Sequence, residues 1–385
     1  MDSTTRYRRL RERIGNGDID RRAVMRHLGM AGLAFGVSGG AIGAMSRVAL
    51  ADAKELYFEG WGGVVSEALR KHAFDPYEKA KGVSVIDSTF GGEEEVLTKV
   101  RAAGSTQGHN ILHSSGLDWY KRWIDAGYGS ALNLDNIPNM ANVMDAMVVP
   151  FRKITPESLS GVPYDYGTTG IAYNTEHIAK EEAEQLGANL LLQTKYEGKI
   201  GGWGGDWNNR AWYGALQTDQ HPNEIEDWDA VWEKVREHRA LVLKYWESGA
   251  ELMDLLAKGE IWVTEAWSGR VAALQEQGHP IAYVDPPNGR AWMETMFVLK
   301  DSPMAEAEEL LNFMLEPETA IAVAEGQKYP PSLDPNKVPM TPAIEALPAY
   351  DPTGTLEGLT FADPAVWNAV EKEQKRTWNR IKKGA

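Results

Sequence analysis

The 385-residue sequence contains no cysteine. This excludes disulfides, thiolate metal sites, iron–sulfur clusters, a cysteine nucleophile and a lipid-anchored cysteine behind an export signal. It lacks a Walker loop, a nucleophile elbow and a dinucleotide fingerprint. After about residue 53 it also lacks any apolar run long enough to span a bilayer. Positive charge is scarce beyond the first 51 residues. That segment has nine Arg against four acids, whereas the rest has 31 basic and 51 acidic residues. An acidic body of this kind argues against a nucleic-acid partner.

Apolar residues make up 43% and charged residues 25% of the chain, the balance of a folded protein, and the length suits two lobes. Tryptophan is the unusual abundance, at 14 residues. Residues 1–53 read as an address. An Arg-rich stretch containing Arg21-Arg22 precedes a Gly/Ala-rich apolar run from about Leu28 to Met45. Small-x-small cleavage sites follow, ending at Ala51 or Ala53. Asp20-Arg21-Arg22-Ala23-Val24-Met25-Arg26 resembles the twin-arginine export motif. The expectation is a cleaved signal peptide and a periplasmic mature protein without stable membrane insertion.

Downstream, strand and helix patterns alternate, which predicts an α/β protein with largely parallel sheets. Helices are expected at about Val65–Ala80, Glu93–Ala103, Leu117–Ala126, Trp228–Trp246, Ala250–Lys258, Gly269–Gln277 and Asp363–Lys383. Another is expected from Ala305 to Gly326 with a break at Pro317, and an extended segment from Ser160 to Asn174. His109 and His113 have metal-ligand spacing only on a helix. Their segment reads as a strand, where they would lie roughly 13 Å apart. Gly201-Gly202-Trp203-Gly204-Gly205 reads as a turn or a place where a ligand approaches backbone, and Glu93-Glu94-Glu95 as a helix start favoured by the dipole. Trp119, Trp123, Trp228, Trp232 and Trp246 have helix-like spacing and read as packing residues. No catalytic residue, cofactor or metal is expected.

Five segments in order carry a resemblance. They are Leu56-Tyr57-Phe58-Glu59-Gly60-Trp61; Gly161-Val162-Pro163-Tyr164-Asp165-Tyr166-Gly167-Thr168-Thr169-Gly170-Ile171-Ala172-Tyr173-Asn174; Gly259-Glu260 with Ala266-Trp267-Ser268-Gly269; Pro286-Pro287-Asn288-Gly289 with Trp292-Met293-Glu294; and Leu311-Asn312-Phe313-Met314-Leu315-Glu316-Pro317-Glu318. Together they resemble the periplasmic spermidine/putrescine-binding proteins, the solute receptors of ABC importers. The resemblance implies a two-lobe periplasmic-binding-protein fold, each lobe a mixed sheet flanked by helices, with the ligand cleft between the lobes. It implies lobe 1 from residues 54–162 and 292–325, and lobe 2 with a closing C-terminal helix from residues 163–291 and 326–385. It also implies a monomer that delivers a small amine-containing ligand to a permease and performs no chemistry.

In that family, aromatics flank the ligand and carboxylates hold its ammonium ends. Trp61, Trp267 and Trp292 fall on aromatic positions, Glu294 on an ammonium-holding acid, and Ser114 on a polar position ending the third strand. Tyr164, Thr168 and Thr169 fall on or near the hinge strand. The departure is at Asp206-Trp207-Asn208-Asn209-Arg210, where the family carries further acids. An ungapped alignment places Trp207 and Arg210 there, and a one-residue shift restores Asp206. Three readings stay open: a short polyamine held by Glu294 and Asp206; a zwitterion such as a betaine, opine or aminophosphonate with its anionic end on Arg210; or a structural ion pair at Arg210. Arg270 is a weaker anion candidate, with a solvated helix position as its bland alternative. Competing classes are a twin-arginine-exported enzyme with an unrecognised cofactor and a sensory receptor of the same fold.

Overall fold

The computed structural model describes residues 54–205 and 207–384. The expected signal peptide and Asp206 lie outside the described residues. The strands are β1 (Glu55–Gly60), β2 (Ser84–Thr89), β3 (Ile111–Ser115), β4 (Gly161–Asn174), β5 (Ile200–Trp203), β6 (Val242–Trp246), β7 (Val263–Trp267), β8 (Ile281–Val284), β9 (Arg290–Val298) and β10 (Thr360–Phe361). The helices are α1 (Val64–Leu69), α2 (Asp75–Lys81), α3 (Glu93–Ala103), α4 (Leu117–Asp125), α5 (Asp145–Ile154), α6 (Lys180–Leu186), α7 (Trp207–Leu216), α8 (Trp228–Leu241), α9 (Gly249–Ala257), α10 (Ser268–Glu276), α11 (Met304–Met314), α12 (Pro317–Gln327), α13 (Pro342–Glu345) and α14 (Pro364–Lys382).

The strands join in the order β2-β1-β3-β9-β4-β7-β5-β6, with β10 on β9 and β8 on β4. Parallel pairing holds within β2-β1-β3 and within β7-β5-β6. The antiparallel strands β9 and β4 link these two halves. β4 is 14 residues long and does both jobs: residues 161–169 pair with β9, and residues 169–174 pair with β7 and β8. It is buried along its whole length, so it shows no alternation of polar and apolar residues. From Lys54 onward the chain forms a single compact unit.

Local signals explain most helix boundaries. α3 begins after Gly91-Gly92 with three acids in its first turn and ends at Gly104 in the left-handed region. α14 is capped by Asp363, whose carboxylate accepts from the Ala365 N–H, with Pro364 as first residue. Pro317 starts α12, as expected of a residue that breaks the preceding helix. The expected helix at Val65–Ala80 is interrupted by a π-helical turn at Arg70–Phe74.

Two expectations need correction. The helix from Trp228 ends at Leu241, and Val242-Leu243-Lys244-Tyr245-Trp246 is strand β6, parallel to β5. Its β-branched and aromatic residues suit a strand once a partner edge is available. The glycine-rich run at 201–205 is not simply a turn, because Gly201 and Gly202 lie in β5. A Cβ on Gly201 would sit 2.6 Å from Ile261 Cδ1, and one on Gly202 2.7 Å from Tyr245 Cε1. These glycines allow close packing of β5.

α14 spans the two halves. On one side Trp367 stacks on Trp212 at 5.5 Å and packs near Trp207 at 5.6 Å. On the other, Arg122 of α4 pairs with Glu371 at 2.9 Å and donates to Asn368 Oδ1 at 3.0 Å, and Lys375 pairs with Glu94 of α3 at 2.9 Å.

Candidate functional site

The C-terminal end of β7 places Trp267 just before α10, and β9 carries Trp292 and Glu294. β1 delivers Trp61 one residue past its end. These four residues line one cleft with an empty volume of about 580 Å³. Its wall is a tryptophan cluster. Trp61 and Trp267 ring centroids are 5.8 Å apart, Trp203 and Trp267 5.3 Å, and Trp246 and Trp267 5.1 Å. Trp292 meets Tyr329 edge to face at 4.9 Å.

Two glycines seat this wall. A Cβ on Gly167 of β4 would lie 2.5 Å from the Trp292 indole, and one on Gly269 of α10 would lie 2.5 Å from the Tyr329 ring. Replacing Gly167 by alanine forces the indole out of place, an overpacking cost of about 1–3 kcal/mol. The expected result is a weaker solute affinity and a lower melting temperature, read by titration calorimetry and calorimetric melting of the variant.

The charged groups were less legible than the aromatics. Glu294 is buried and lines the cleft. Burial, with Asp165 and Glu93 nearby, holds its carboxyl well above the usual carboxylate range. Glu93 lines the cleft as well, although Glu94 and Glu95 beside it give no hint of this. Its carboxylate accepts from the Ser115 N–H and the Trp123 indole N–H, both at 2.7 Å. Burial still pushes its pKa up to about 8.

Arg270 is 2% exposed and lines the same cleft, so it is not a solvated helix residue. Its guanidinium stands 5.7 Å from the Trp267 ring and 5.9 Å from Tyr329. Its Nη1 is buried without a hydrogen-bond partner among the described residues. Arg290 also lines the cleft and donates to Asn208 Oδ1 at 2.7 Å.

The other expected site residues go elsewhere. Ser114 is fully buried beside Glu93, and it is Ser115 that lines the cleft. Trp207 lines an adjoining chamber of about 430 Å³, shared with Trp61, Glu93 and Trp119. Trp119 lines both spaces, so it is more than the packing residue its spacing suggests. Arg210 is absent from the lining. It forms a buried ion pair with Glu265 and lies 3.2 Å from His238 Nδ1. The residues expected on or near a hinge strand are buried: Thr169 lines the cleft, while Thr168 Oγ1 donates to Asp285 at 2.9 Å. His109 pairs with Glu59 at 2.6 Å, while His113 lies beside Glu294, so the two histidines do not face one another.

A tryptophan-walled cleft carrying buried charges of both signs, set where two halves of a sheet meet on shared antiparallel strands, defines a two-lobe binding protein that encloses a small solute. Residues 72–351 match the bacterial extracellular solute-binding protein family, and the chain belongs to it. Members of this family are binding proteins. The putrescine/agmatine-binding protein of Pseudomonas aeruginosa is 25% identical, with 80% of this chain and 88% of the relative covered. The putrescine-binding periplasmic protein of Escherichia coli is 24% identical, with 91% and 97% covered. Among solved structures, a PBP from A. tumefaciens B6 in complex with glucopine superposes with a TM-score of 0.71 at 21% identity, covering 85% of this chain and 99% of that one. A PBP from A. tumefaciens R10 in complex with agropinic acid gives 0.70 at 20% identity, covering 86% and 99%. No helix among the described residues is long and apolar enough to cross a membrane.

Proposed function

We propose that this protein is the periplasmic receptor of an ABC importer and that its solute is a small zwitterion with one ammonium and one anionic end. A single observation carries the reading: Arg270 and Glu294, both buried, line one tryptophan-walled cleft. A solute with two cationic ends would set one of them against a buried guanidinium. A zwitterion satisfies both walls, its ammonium held by Glu294 and Glu93 against indole faces and its anion gripped by Arg270. Opines, betaines and aminophosphonates are of this type, and the complexes of two structural neighbours with agropinic acid and glucopine are consistent with it. The two acids in the lining and the polyamine names of the curated relatives favour a diamine as second reading.

On this reading the N-terminal segment is a twin-arginine-type signal, and the mature monomer closes its lobes on the solute and presents it to the permease. Lobe 1 comprises 54–162 and 292–325, and lobe 2 comprises 163–291 and 326–385. Thermal-shift titration with putrescine, spermidine, glycine betaine, an opine and an aminophosphonate tests it. A zwitterion at a hundredfold its Kd stabilises by about 2.7 kcal/mol, while the diamines leave the melt unmoved. A diamine as the only hit selects the second reading.

Binding is also expected to release a proton. The groups facing Glu93 are Asp118 and Trp123 of α4, Ser115 of β3 and Glu294 of β9. With its pKa at about 8, Glu93 is mostly protonated at neutral pH before solute enters. An ammonium beside it favours the carboxylate and lowers that pKa, so the complex holds fewer protons than the free protein. Affinity therefore rises with pH, by up to about tenfold per unit for each proton released, and the Glu93 contribution levels off above pH 8. Calorimetry at pH 7 in two buffers of different ionisation enthalpy checks this: the binding heat differs between buffers in proportion to the protons released. Equal heats contradict it.

A further inference from the structure

Behind the cleft lies a polar cluster of which the solute reading uses only Glu294. Strand β9 runs between β3 and β4, and Glu294 sits in register with Ser115 on one side and Asp165 on the other. His113 is two residues from Ser115 on β3 and so shares its face. One ligand-type atom each from His113, Asp165 and Glu294 lies within 4.8 Å of the others, with His113 Nε2 3.8 Å from Glu294 Oε2.

All three are buried, His113 fully and Asp165 to 1% exposure. Both ring nitrogens of His113 and Oδ1 of Asp165 have no hydrogen-bond partner among the described residues. Buried polar groups are almost always satisfied, and two carboxyls directly opposed on neighbouring strands repel when ionised. A divalent cation meets both demands: it takes a lone pair from the imidazole and offsets the two carboxylate charges.

We propose that His113, Asp165 and Glu294 form a site for a divalent transition-metal ion, Zn²⁺ by its donor set of one nitrogen and two oxygens. A tetrahedral site with bonds of about 2.0–2.2 Å needs its ligand atoms about 3.4 Å apart, a modest inward rotation of these side chains. Gln327 donates to Asp165 Oδ2 at 2.5 Å, which orients that ligand as supporting partners do in metal sites, and Phe58 packs edge-on to the His113 ring at 5.2 Å. Glu294 also lines the solute cleft, so an ion held here would border it. The inference goes beyond the solute reading and does not rest on it, but the two share Glu294, so bound Zn²⁺ competes with the solute's ammonium for that carboxylate.

Titration calorimetry of the purified, chelator-treated chain with ZnCl₂ tests the site, together with the visible spectrum of the same protein titrated with Co²⁺. The expected result is one saturable Zn²⁺ per chain and tetrahedral-type Co²⁺ absorption bands. His113→Gln and Asp165→Asn each weaken Zn²⁺ by about a hundredfold or more, while His109→Gln leaves it unchanged. Circular-dichroism melts establish that the variants fold. If the unmodified chain takes up no saturable Zn²⁺ and shows no Co²⁺ bands, or if uptake survives both substitutions, the proposal is overturned. Because the readout is metal alone, failure here leaves the solute titrations standing, and failure there leaves this result standing.

Discussion

Replacing Arg270 by glutamine weakens binding of a zwitterionic solute by about thirtyfold or more. The guanidinium is buried against Trp267 and Tyr329, so its contact with an anion is made away from bulk water. Removing one partner of a desolvated, hydrogen-bonded charge pair costs about 2–5 kcal/mol, and 1.4 kcal/mol is a factor of ten in Kd. Glutamine keeps much of the volume, so the tryptophan wall stays packed and the loss reports charge. The same variant moves a diamine the other way. With the buried cation gone, Glu93 and Glu294 face the cleft without their opponent in Arg270, and putrescine affinity rises. Titration of both solutes against both proteins therefore gives effects of opposite sign. A zwitterion that binds Arg270→Gln as well as the unmodified chain removes the basis for the anion assignment.

Arg210→Ala has a large effect of a different kind. Its carboxylate partner, Glu265, is fully buried in β7 and also accepts from the Trp203 backbone N–H. The third member is His238, whose pKa burial and the Arg210 charge push well below the ordinary value, so its neutral ring presents Nδ1 to the guanidinium. Truncating Arg210 removes the cationic partner of the buried Glu265, which costs about 3–5 kcal/mol of stability. Urea unfolding monitored by tryptophan fluorescence measures this. Solute affinity, titrated where the variant remains folded, stays within error of the unmodified chain because Arg210 is not part of the cleft lining. The double variant Arg210→Met with Glu265→Leu is expected to recover most of the loss, since an apolar pair of similar volume often matches a buried ion pair. Lost affinity without lost stability would place Arg210 in the site instead.

What the sequence makes legible divides along physical lines. α3, α4 and α14 are set by local signals: a glycine pair, acids in a first turn, a capping Asp363 before Pro364. β4 is legible as a continuous buried run bounded by turn residues. Val242–Trp246 reads as a continuation of α8 because its strand character depends on pairing with β5, forty residues earlier in the chain and invisible to a local window. The same holds at the site. Trp61, Trp267, Trp292 and Glu294 sit in recognisable motifs and meet in one cleft. Glu93 is one of three identical neighbours, and only the position of α4 and β3 turns it inward. Tyr329 arrives from the irregular stretch after α12, where no periodicity marks it. Arg270 and Arg210 look alike in sequence. Burial separates neither from the other; the difference is that Arg210 has Glu265 and Arg270 borders the cleft.

The most direct measurement is a crystal structure of the chain with the solute that wins the thermal-shift panel. Density is expected between Trp61, Trp267 and Trp292, with an anionic group on the Arg270 guanidinium and an ammonium group against Glu294 and Glu93. A solute seated in the cleft with no anionic group at Arg270, or one bound at Arg210, would contradict this expectation.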